Sequence, residues 1–203
     1  MDTNNPSPDS YNFDGLGDYL PGETDNTSPV DGPPRPVDWD ALNSDEIEYE
    51  LLTLNQWVEQ ERHTQLFDAT VIPPYWHRHQ ALIEQLSALR THKLAAYDPE
   101  QHGSAPFGWL RDLDEWKTRM RELVAQLGCR IDNCRSEAIT RWPGEPEPDP
   151  ADTPPWLNTA DRYEDFVTCV LWRVERRRAI EQRYYTAIAT HTDSTTGTDT
   201  YQP

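Results

Sequence analysis

Two histidines, His77 and His79, sit either side of one arginine in "VIPPYWHRHQAL", residues 71–82. His-x-His is the spacing with which an extended segment can grip a metal ion. On a helix the same two side chains point about 200° apart and cannot share one. Pro73 and Pro74 hold the chain extended up to Tyr75, and the helical period begins near Trp76. No carboxylate or third histidine stands close in sequence, and His63 and His92 could join the pair only through the fold. The turn therefore reads first as structural. Ile72 and the prolines set the angle of a helix, Trp76 plugs the end of a bundle, and His79 packs at the core edge. The other reading is a binding surface of exposed Tyr75, Trp76 and His77.

The three cysteines are Cys129, Cys134 and Cys169. An odd, sparse set is not a secreted disulfide framework. Structural zinc usually takes two two-ligand knuckles; Cys129-x4-Cys134 supplies one, and a fuller set would have to draw on Cys169 or His102. Nothing beside any cysteine marks the adjacent base or low-pKa setting of a nucleophile. There is no phosphate-cradling G-x-x-x-x-G-K or G-x-G-x-x-G, and no G-x-S-x-G. The expectation is a non-enzyme with no metal, no catalytic residues and no cofactor.

The elements that carry these residues are helices. The first is predicted over about 45–66, with Ser44 as its cap, Asp45 and Glu46 at the positive end of its dipole, and Ile47, Leu51, Leu54 and Val58 as an apolar stripe flanked by Trp57. The second runs over about 76–97 on Leu82, Leu86, Leu89 and Ala96–Tyr97. The third opens at Pro106 and ends at Gly128, with Trp109, Leu113, Trp116, Met120, Leu123, Val124 and Leu127 on one face. The fourth covers about 159–189, capped by Thr159; its stripe of Tyr163, Phe166, Val167, Val170 and Val174 is interrupted by Arg177, Arg178 and Glu181 and resumes at Tyr184, Tyr185 and Ile188. No strand, repeat or long heptad pattern is visible. The fold class expected is all-α: a small bundle of three to four helices with an acidic disordered N-terminal tail and a polar disordered C-terminal one.

Composition sets the boundaries. Residues 1–43 read as a disordered acidic tail, 44–135 as the helical core, 136–158 as a Pro/Glu-rich linker, 159–190 as a long basic-faced helix and 191–203 as a second tail. Of the net charge of −18, residues 1–40 carry −8, while 159–190 carry +1. A chain this acidic repels nucleic-acid phosphate, so nucleic acid is disfavoured as a partner unless a basic surface is segregated. No signal peptide is visible in "MDTNNPSPDS" and no apolar run spans a membrane, which leads to a cytoplasmic expectation.

Two places have the residue mix of an interface. Tyr11, Phe13, Leu16, Tyr19 and Leu20 alternate with Asp and Gly, a composition that orders on a partner. On the fourth helix Trp172, Arg176 and Arg183 fall opposite the apolar stripe, with Arg173 on its flank; tryptophan beside arginine is typical of interface hot spots. The matching surface is an acidic protein, nucleic acid, or the chain's own acidic tail.

Residues 49–123 resemble uncharacterised proteins encoded on actinobacterial plasmids, integrative conjugative elements and phages. The shared features are Trp57, the Val71–Trp76 turn with His79, the run Glu84–Leu89, Tyr97–Pro99, and Trp109 with Trp116. Tyr75 and Lys93 depart from the pattern, which often has Cys and Trp there; the first departure weighs against thiol or metal chemistry at the turn. The resemblance implies a mobile-element setting and supplies no activity. Together these observations point to a non-enzymatic accessory or adaptor protein acting through protein–protein contacts. The alternative is a nucleic-acid-associated regulator using the arginine-rich helix, and a metal-dependent enzyme ranks last.

Overall fold

A computed structural model describes residues 34–135, 142–147 and 150–196. The aromatic segment Tyr11–Leu20 lies outside the described residues. The described chain is all-α, as the periodicities predict: α1 (Ser44–Thr64), α2 (Gln80–Ala96), α3 (Ala105–Leu127) and α4 (Arg162–Thr196), with short 3-10 turns at Trp76–Arg78 and Pro150–Asp152. Helix α1 packs against both α4 and α2, α2 packs against α3, and the Trp76–Arg78 turn is wedged against α2 and α4.

The stripes fill one core. Ile47, Leu51, Leu54 and Val58 of α1 meet Leu82, Ile83, Leu86 and Leu89 of α2, Trp109, Leu113, Met120 and Val124 of α3, and Phe166, Val170 and Val174 of α4. The fourth helix is thus part of the bundle rather than an extension of it. Tyr163, placed in its stripe by the wheel, is exposed instead.

The helix starts shift from their predicted positions for a common reason: the expected cap is already committed elsewhere. Asn43, not Ser44, caps α1, accepting from the Asp45 and Glu46 amides while Glu46 reaches back to the Asn43 amide. Ser44 lies inside the helix, where its amide and hydroxyl donate to the two carboxylate oxygens of Glu181 at 2.8 and 3.2 Å. Helix α4 starts after Asp161, which accepts from the Tyr163 and Glu164 amides. Before it, the Asn158 side chain accepts from the amides of Ala160 and Asp161, a turn that occupies Thr159. The end of α3 follows the sequence: Gly128 takes φ 68° and ψ 23°. The end of α1 does not use glycine, since Leu66 adopts φ 54°.

Two predicted boundaries also move. Trp39 is buried in the core, with Val37 and Leu42 packed beside it, and Arg177 donates to the Trp39 and Asp40 carbonyls. Residues 37–43 therefore belong with the bundle. In the proline-rich stretch before α4, the Pro155 and Trp156 carbonyls are held by Arg78.

Candidate functional site

The Pro-Pro turn is where the bundle's polar chemistry concentrates, and its geometry differs from the predicted one. Helix α2 does not begin at Trp76. A 3-10 turn covers Trp76–Arg78, and His79 is extended (φ −113°, ψ 119°) before α2 starts at Gln80. The turn is deeply buried: Tyr75, Trp76 and His77 are 3%, 1% and 1% exposed. The exposed binding surface considered for these three residues is therefore absent. The Trp76 and His77 rings pack against Phe166, at 6.2 and 5.2 Å between centroids.

His77 and His79 point to different partners. His77 Nε2 lies 2.8 Å from Asp165 Oδ2, in the first turn of α4. Arg78 grips the same carboxylate with Nε and Nη2 at 2.8 and 2.5 Å. The Asn158 amide donates to Asp165 Oδ1 at 2.7 Å. Asp165 is buried, which by itself would raise its pKa, but hydrogen bonds from His77, Arg78 and Asn158 outweigh burial and hold the carboxyl well below the usual range. Burial pushes the His77 pKa down, and the nearby carboxylate does not fully compensate. The set is thus a carboxylate–guanidinium pair with a neutral imidazole, whose Nε2–H donates to Asp165. It binds α4 to the turn. Arg162 reinforces the tie, donating to the Pro74 carbonyl and to Asn55 and pairing with Glu59 of α1.

His79 faces the other way. Its Nε2 lies 2.8 Å from Cys134 Sγ and 3.0 Å from Cys129 Sγ, and the two sulfurs are 3.6 Å apart. In place of a second cysteine knuckle, the fold brings a histidine from 50 residues upstream. Cys169 is not part of this group: its thiol faces the His77 carbonyl, and burial pushes its pKa up. Contact with Cys129, then burial, pushes the Cys134 thiol up strongly.

The Trp172 cluster exists, but much of its charge is engaged. Trp172 is half-buried, with Arg173 and Arg176 stacked near its ring at 5.9 and 5.8 Å. Arg173 donates to Gln80 and to the His77 carbonyl, and Arg176 pairs with Asp152. Arg178 pairs with Asp45, and Arg183 Nε donates to the Ala179 carbonyl one turn back. The interruption of the apolar stripe at Arg177, Arg178 and Glu181 has a structural purpose: these residues clamp the N-terminal end of α1.

Asp165 and Glu181 each tie α4 to a distant segment; from sequence Glu181 marks only a break in the apolar stripe, and Asp165 is not singled out. A signal for Asp165 existed, since it lies one residue before Phe166 and four before Cys169, on the face that becomes buried. No described helix is long and apolar enough to cross a membrane. Compared with protein-family models, curated proteins and solved structures, the chain matches none.

Proposed function

We propose that this protein is a non-enzymatic adaptor that binds a partner protein through the overhanging end of α4. The observation that supports this is where α4 stops packing. Glu181 and Arg178 contact Ser44 and Asp45, the first residues of α1. Helix α4 then continues through residues 182–196, a projection of about 22 Å at 1.5 Å per residue. On this projection Tyr184 and Tyr185 are 64% and 66% exposed, with their rings 5.9 Å apart. Two adjacent exposed tyrosines on a helix anchored at its other half are suited to an apolar groove on a partner. The bundle supplies the rigid base.

The nucleic-acid alternative needs free guanidinium groups on α4. Arg162, Arg173, Arg176, Arg177 and Arg178 all bond within the chain, and the net charge of −18 repels phosphate. The protein reading is favoured. The resemblance of residues 49–123 to actinobacterial element-borne proteins gives the proposed setting, with the partner encoded on the same element. The test uses the full chain as bait in its source cells, comparing the wild type with the Tyr184→Ala/Tyr185→Ala double variant. A partner enriched by the wild type and lost from the variant is expected. Equal capture by both refutes the proposal.

A further inference from the structure

We propose that His79, Cys129 and Cys134 form a zinc site. Their three donor atoms, one imidazole nitrogen and two sulfurs, lie within 4.8 Å of one another. They come from two segments that the fold brings together independently of these side chains. His79 is aimed by its extended backbone at the start of α2. Gly128, in its left-handed conformation, turns the chain out of α3, and the Cys129 amide closes back on the Val124 carbonyl. Arg130 N then donates to the Asn133 carbonyl at 2.7 Å, and this tight turn returns Cys134 to the side of Cys129. A turn that places two cysteines side by side, facing a histidine, is a metal knuckle with its third ligand in place.

Distances and chemistry fit zinc. Bond lengths of about 2.3 Å to sulfur and about 2.0–2.1 Å to nitrogen imply, at tetrahedral angles, ligand separations of about 3.8 Å for S···S and about 3.5 Å for N···S. The sulfurs are already 3.6 Å apart, while the nitrogen sits at 2.8 and 3.0 Å and would have to withdraw by about 0.5–0.7 Å. Both sulfurs stand closer to the nitrogen than a hydrogen bond to so large an atom requires. Two thiolates and one imidazole are a soft donor set suited to zinc over calcium or magnesium, and the thiolates cancel the charge of the divalent ion where it is buried. The three donors leave the fourth tetrahedral position to a water or another donor. The bound ion would tie the loop after α3 to the start of α2, joining two elements that are adjacent in space but distant in sequence.

The test uses the full-length protein, purified under reducing conditions and assayed for zinc, then stripped and reconstituted with Co²⁺. One zinc per chain is expected. The cobalt form should show tetrahedral ligand-field bands with thiolate-to-metal charge transfer, displaced by Zn²⁺. Cys134→Ser, at a half-buried position, should retain the wild-type helical circular dichroism, lose about half of the charge-transfer intensity and bind zinc at least about tenfold more weakly. Zinc well below one per chain together with no cobalt charge-transfer band overturns the proposal. So does a Cys129–Cys134 disulfide found by mass in protein kept under reductant, or wild-type zinc affinity in Cys134→Ser. If Cys134→Ser does not fold, the zinc content and cobalt spectrum of the wild type decide.

Discussion

Replacing Asp165 by asparagine should be among the most damaging single changes in this protein. The carboxylate side chain is fully buried and accepts from His77, from two nitrogens of Arg78 and from the Asn158 amide. Asparagine keeps the shape but removes the charge, and it turns an NH2 group toward donors. The Arg78 side chain, only 8% exposed, would be left without its counter-ion. Breaking a buried ion pair from one side costs about 3–5 kcal/mol. For a domain of this size that is a fall in Tm of about 6–20 °C. Urea unfolding followed by tryptophan fluorescence would show a lower midpoint at unchanged slope. Because both changes disturb one network, Arg78→Met/Asp165→Asn should lose less stability than the sum of the single variants, by about 1–3 kcal/mol. A cost below about 1 kcal/mol for Asp165→Asn, or strict additivity in the double variant, would show that the pair does not hold α4 in place.

The same carboxylate gives a pH prediction. Its pKa is held below the usual 3.8, so the folded state binds fewer protons there than the unfolded one. Its contribution is complete above that value and lost as the pH falls further, so the stability gap between wild type and Asp165→Asn should narrow on acidification below about pH 4; a gap constant down to pH 2 contradicts this. Leu66, 87% exposed at φ 54°, holds a Cβ in a conformation that disfavours it; Leu66→Gly should therefore raise stability by about 0.5–1 kcal/mol in the same urea assay. Glu181→Ala removes the acceptor of both Ser44 donors and should cost about 1–2 kcal/mol, with Ser44→Ala contributing non-additively.

The periodic part of the fold was legible because apolar stripes are a local property. Ile47, Leu51, Leu54 and Val58, or Trp109, Leu113 and Met120, announce a buried face from spacing alone. What was not legible depended on partners far away in sequence. Ser44 looks like a cap until Glu181 claims it, and Thr159 looks like one until the Asn158 turn moves the helix start to Asp161. The turn at residues 71–82 shows the same limit. Helical geometry was the wrong frame for His77 and His79, because a 3-10 turn and an extended residue stand where α2 was expected to begin. The conclusion that they do not share an ion stands, but for a different reason. Each histidine is drawn to its own partner, one on α4 and one on the loop after α3, and neither partner can be identified from spacing. Tyr75, Trp76 and His77 have the residue types of an interface, yet all three are buried, with Phe166 against the Trp76 and His77 rings and Asp165 bound to His77.

The proposed role of α4 is most directly tested by placing a photo-crosslinking amino acid at position 184 of the otherwise intact chain in its source cells, with the same group at Asp114 on α3 as control. The adaptor account predicts one discrete heterotypic adduct from position 184 that is absent from position 114. No adduct from position 184, or the same adducts from both positions, would contradict it.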